Sequence, residues 1–93
     1  MRTFSGNIFV VEPSVFDRLT RLLREVFDND DLVAIPGLTA RQVMGWDSLG
    51  NVRLFVEIER EFGIRFSATE ISSLKNVGQL AEIIVARTTQ AAR

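Results

Sequence analysis

The stretch Gly45-Trp46-Asp47-Ser48-Leu49-Gly50-Asn51-Val52, with the run that follows it to Phe62, decides how this chain folds. It combines a helix start, a serine at that start, and apolar residues on two opposite faces of the helix beyond. With Leu49 at zero and about 100° per residue, Leu54, Phe55, Ile58 and Phe62 fall between roughly 140° and 240°. Leu49, Val52 and Val56 gather on the other side, between about −60° and 0°. The first group has i, i+4, i+8 spacing and the larger side chains, so it is assigned to the core. One such face is enough to join a core. The second group is flanked by Arg53 and Arg60, which places it at the surface as an apolar stripe in a charged frame, the pattern of a docking face. The alternative is a helix sandwiched between two layers.

Working outward, Gly63 ends this central helix as a natural C′ residue. Ser67-Ala68-Thr69-Glu70 is a capping box that starts a short helix through about Ser73. Asn76-Val77-Gly78-Gln79 is a second, weaker box. Val77, Leu80, Ala81, Ile84 and Val85 then predict a last helix ending near Arg87, with residues 88–93 as a loose tail. Upstream, Glu12-Pro13 is expected to open the first helix, because proline is tolerated in a first turn. Val15, Phe16, Leu19, Leu22, Leu23, Val26 and Phe27 make it strongly amphipathic, and Asp28-Asn29-Asp30-Asp31 ends it. Those aspartates alternate as in a calcium loop, but Leu32 stands where a ligand is needed and the loop glycine is missing, so no metal site is assigned.

The connection from Leu32 to Asp47 holds the turn pair Pro36-Gly37. Leu32, Val33, Ile35, Leu38, Val43, Met44 and Trp46 make it too apolar for a free linker. It is expected to lie across the bundle, with a short helical turn at Thr39 to Val43. Residues 1–11 form an extended lead-in whose β-rich patch, Ile8 to Val11, has no partner strand; the patch is too weak for a signal peptide. The fold class is therefore all-α: three long helices and one short one in a bundle over residues 12–87, with a long first loop.

At 93 residues the chain makes one domain, large enough to bury about 60–70% of its unfolded surface. Net charge is −1 and no basic run occurs, which argues against nucleic acid as a partner. No apolar run approaches the ~20 residues of a membrane span, and the absence of cysteine fits a reducing compartment. A cytoplasmic monomer without membrane insertion is the expectation.

The chain has no histidine, which removes the Ser-His-Asp triad and the usual zinc constellations. With no strand before it and no base to take its proton, Ser48 is not a self-activated nucleophile. Glu57, Glu59 and Glu61 are taken as solvated helix-surface carboxylates rather than a catalytic pair. A serine at a helix start is usually just a cap. Here Asp47 can serve as the cap, which frees the Ser48 hydroxyl. A helix N-terminus also stabilises a phosphate through its unpaired N–H groups and dipole. The position suits a phosphodiester attached by another protein.

From Gly45 to Ile84 the chain resembles the acyl carrier protein family. The matching features are Asp47-Ser48-Leu49, Val52, Leu54, Glu59-Arg60-Glu61-Phe62, the apolar Phe66, the short helix, and Val77 leading into the last helix. The resemblance implies a four-helix carrier bundle that is not an enzyme. Ser48 would receive 4′-phosphopantetheine from coenzyme A through a phosphopantetheinyl transferase, with Asp47 helping that enzyme hold its magnesium. The arm's thiol would carry acyl intermediates as thioesters between acyl-loading and acyl-processing enzymes. Leu49, Val52, Arg53, Val56 and Arg60 would meet those partners, and Phe55, Ile58, Ile71 and Leu74 would shelter an acyl chain. Carriers of fatty acid biosynthesis typically have a strongly acidic central helix, whereas here Gly50 and Arg53 occupy positions often acidic. Residues 48–93 carry six basic and five acidic residues. A specialised lipid or secondary-metabolite carrier fits better. A peptidyl or aminoacyl carrier, and a helical interaction domain with Ser48 as a simple cap, are the alternatives.

Overall fold

Local signals set most helix ends in the computed structural model, which describes residues 14–91. The first helix, α1, spans Val15–Phe27. Its cap is Ser14, whose hydroxyl accepts the Asp17 N–H at 3.1 Å. This corrects the expected opening at Glu12-Pro13: a side-chain oxygen satisfies an orphan N–H, which proline cannot do. Pro13 itself, like the predicted lead-in, lies outside the described residues. At the other end Asp28 turns left-handed (φ 51°) and its N–H closes on the Arg24 carbonyl. Asn29 then accepts the Asp31 N–H at 2.9 Å, so the acidic stretch works as a turn.

The long connection crosses the bundle as expected, and its backbone is pinned at both sides. The Thr20 hydroxyl accepts the Ala34 N–H at 2.9 Å and Arg24 Nε donates to the Leu32 carbonyl at 2.7 Å. Further on, the carbonyls of Pro36 and Leu38 accept the N–H groups of Gly78 and Val77, each at 2.9 Å. The predicted turn is a 3₁₀ segment, Ala40–Gln42, held by Gln42 reaching back to the Thr39 N–H. The apolar residues of this loop divide. Ala34 and Val43 are buried and Leu32, Leu38 and Trp46 pack against the core, whereas Val33, Ile35 and Met44 face solvent.

The central helix, α2, spans Ser48–Phe62 and ends on Gly63 at φ 68°. The short α3, Ala68–Ser73, has the predicted reciprocal box between Ser67 and Glu70. The last helix, α4, spans Val77–Ala91. Asn76 caps it by accepting the Gln79 N–H at 2.9 Å, while Gln79 reaches back to the Lys75 N–H rather than closing a box on Asn76. This helix runs past the expected end near Arg87, since no glycine or proline stops it and Thr88 bonds back to the Ile84 carbonyl.

α1 packs on both α2 and α4. Leu19, Leu23, Leu54, Ile58, Val77 and Ile84 fill the centre. Two members of the predicted faces stand further out. Phe62 is half-buried, with the Arg18 guanidinium over its ring at 4.2 Å, and Val85 is exposed. The glutamates of α2 are also not merely solvated. Glu59 accepts the Phe66 N–H at 2.9 Å. Glu61 takes Arg21 at 2.7 Å and Arg18 at 2.9 Å, and these charge-assisted bonds hold its carboxyl below its ordinary range. Arg87 ties α4 to α3 through Glu70, and to the loop before α3 through the Arg65 carbonyl. No helix among the described residues is long and apolar enough to cross a membrane.

Candidate functional site

Asp47 takes the capping role that decides the state of Ser48. Its Oδ1 accepts the Gly50 N–H at 2.9 Å and its carbonyl accepts the Asn51 N–H at 2.8 Å. The first N–H groups of a helix have no intrahelical acceptor; among the described residues, those of Ser48 and Leu49 remain for an outside group. Ser48 is exposed at the first helical position. The site thus offers a hydroxyl beside the positive end of a four-turn helix, an arrangement that accommodates a phosphate ester.

The apolar stripe stands where the angular reading put it. Leu49 is 69% exposed, Val52 59% and Val56 46%, while Leu54 and Ile58 on the opposite face are fully buried. A helix sandwiched between two layers is ruled out by that contrast. Arg60 pairs with Glu57 at 3.5 Å, and Arg53 donates to the Val26 carbonyl at 2.8 Å, so Arg53 also fastens α2 to the end of α1. Phe55, Ile58, Ile71 and Leu74 all belong to or pack against the core, with Phe55 edge-on to Phe66 at 5.1 Å.

Three features of the site were not anticipated. Met44, four residues before the helix, is 92% exposed, the most exposed large apolar side chain among the described residues. Trp46 stacks on Phe27 with centroids 5.5 Å apart and donates its Nε1–H to Asn51 at 2.8 Å. Gly50 is a steric requirement rather than a missing acid. A Cβ there would lie 2.1 Å from the Gly45 carbonyl oxygen and 2.9 Å from the Phe27 ring. Gly45 in turn sits at φ 91°, a backbone that favours glycine. Together these contacts seat the loop on the first turn of α2 and fix the approach to Ser48.

A test of this seating is Gly50→Ala. Alanine gains about 1 kcal/mol of helix propensity over glycine, but forcing atoms into a filled site costs about 1–3 kcal/mol. Net destabilisation in urea titration, with a red shift in Trp46 emission, is the expected result. A variant stabilised like an ordinary exposed helical Gly→Ala would show that the loop is not held this way.

Residues 17–84 match the family described as the phosphopantetheine attachment site. Fold and match together define a carrier protein rather than a catalyst. The holo acyl carrier protein of Geobacter metallireducens, solved by NMR, superposes with a TM-score of 0.78 at 35% identity, over 83% of this chain and 88% of that one. No curated protein gives a significant match. The chain belongs to the acyl carrier protein family, whose prosthetic group is covalently attached 4′-phosphopantetheine.

Proposed function

We propose that Ser48 is the attachment residue and that the chain carries acyl groups as thioesters in a specialised lipid or secondary-metabolite pathway, served by dedicated enzymes. The observation that carries the assignment is the division of labour at the helix start: Asp47 caps, and the adjacent Ser48 hydroxyl is exposed. The prosthetic group supplies a terminal thiol on which an acyl group forms a thioester. The chain's own residues supply the rest. Ser48 offers the oxygen that would bond to the pantetheine phosphorus of coenzyme A as the pyrophosphate P–O bond breaks and adenosine 3′,5′-bisphosphate leaves, and the helix end stabilises the resulting phosphodiester. With no histidine in the chain, the base that accepts the Ser48 proton belongs to the phosphopantetheinyl transferase. Asp47 commits one oxygen to its cap and leaves the other for the transferase's magnesium. Leu49, Val52 and Val56 form the apolar docking face. Ile71 and Leu74, on and beside the short α3, are the half-buried members of an acyl shelter with Phe55 and Ile58.

Partner choice follows from charge. Arg53 and Arg60 border the docking face, and rim charges steer encounter and exclude wrong partners. An enzyme with a basic patch, suited to an acidic carrier helix, meets repulsion here. Acyl loading of the modified carrier by such an enzyme should be slow and should improve in Arg53→Glu/Arg60→Glu. The contrast should shrink toward 1 M salt, where the screening length falls to about 3 Å. Fast loading of the wild type at low salt, with no gain in the variant, would return the chain to general fatty acid synthesis.

A further inference from the structure

A groove of about 540 Å³ runs between α1 and α2, lined by Glu25, Val26, Val52, Arg53, Val56 and Glu57. Three valines supply its apolar surface, and two carboxylates and a guanidinium stand among them. We propose that this groove is the resting site of the prosthetic arm while its thiol carries no acyl group, an inference that rests on Ser48 as the attachment residue.

Position is the first argument. Ser48, Val52 and Val56 are spaced i, i+4, i+8 on one side of α2, each step rising about 6 Å. The groove therefore starts one turn from the hydroxyl, and Val56 is only about 12 Å along the axis, within reach of an extended pantetheine arm. Chemistry is the second. A pantetheine arm presents a branched dimethyl carbon, then two amides, then a thiol. The dimethyl group matches the valines, the Glu25 and Glu57 carboxylates can accept amide N–H groups, and Arg53 can donate to an amide carbonyl. Arg53 uses one N–H on the Val26 carbonyl and has others to spare. The ion pairs of Glu25 with Arg21 and Glu57 with Arg60 are long, at 3.5 Å each, and exposed. Bonds of that kind are worth little and yield readily to a competing donor.

Cost is the third argument. Between α2 and α3 the side chains of Phe55 and Ile58 are already enclosed, so entry there requires the core to open, whereas the α1–α2 groove is open as it stands. A tethered arm acts at an effective concentration on the order of millimolar, so even a weak contact is populated. The consequence is functional. At rest the arm covers Val52 and Val56, the residues a partner needs, so docking displaces the arm and delivers it in one event.

The test compares the apo and holo forms of the whole chain by methyl and amide NMR, after the transferase reaction has been followed by intact mass. Nuclear Overhauser contacts from the pantetheine methyls to Val26, Val52 or Val56, lost in Val52→Ser/Val56→Ser, are expected. Contacts to Phe55, Ile71 or Leu74 instead, or shift changes confined to residues 46–50 with no such contacts, would overturn the groove as the resting site while leaving the carrier reading intact. Failure to gain any mass would overturn the attachment reading, and this inference with it.

Discussion

Ser48→Ala should abolish prosthetic-group attachment completely while leaving the fold intact. Incubated with coenzyme A, magnesium and a broad-specificity phosphopantetheinyl transferase, the wild type should gain the mass of one arm and the variant none. Loss of attachment alone would be ambiguous if the variant unfolded. The structure removes that ambiguity, because the helix cap belongs to Asp47 and the Ser48 side chain is exposed. Exposed substitutions away from caps and cores usually change stability by less than about 0.5 kcal/mol. The variant's urea midpoint should therefore sit beside that of the wild type. Mass gain persisting in Ser48→Ala would move the site to another hydroxyl and would remove the basis for the groove as well.

The second large effect separates the two faces of α2. Leu54 and Ile58 are fully buried, and truncating either to alanine should cost about 2–5 kcal/mol. With a whole domain stable by only about 5–15 kcal/mol, the double variant should not fold. Val52→Ala and Val56→Ala remove side chains that are about half exposed, so each should cost well under 1 kcal/mol. Their effect should appear instead as slower transfer to partner enzymes. Phe62 falls between the two groups, because it is half-buried beneath Arg18. Equal losses for both faces in urea denaturation would show that Val52 and Val56 are part of the core and not a docking surface.

Much of this protein was legible in the sequence because the signals concerned are local. Apolar spacing separated the buried and exposed faces of α2, and Leu54 against Val52 shows the separation in burial. Asp47, Ser67 with Glu70, and Gly63 act as caps on neighbours within a few residues, so their roles follow from spacing alone. Local signals misplaced two features. The proline alone puts the helix opening at Glu12-Pro13, and that reading misses the Ser14 cap, which is seen only from its hydrogen bond with Asp17. Val85 continues the apolar series of α4 but points away from the packed face.

What tertiary structure alone decided is which distant groups meet. Gly50 looked like a lost acid until the chain folded the Gly45 carbonyl and the Phe27 ring against it. Trp46 found Phe27 and Asn51, Glu61 found Arg18 and Arg21, and Arg53 found the last turn of α1. None of these pairings has a period or a cap signature. They depend on the angle at which α1 lies on α2, which is set by the packing of many side chains at once. The sequence by itself determined a helical bundle with an exposed serine at a capped helix start. The packing determined how the loop is seated beside that serine and that a groove between α1 and α2 begins one turn further along, at Val52.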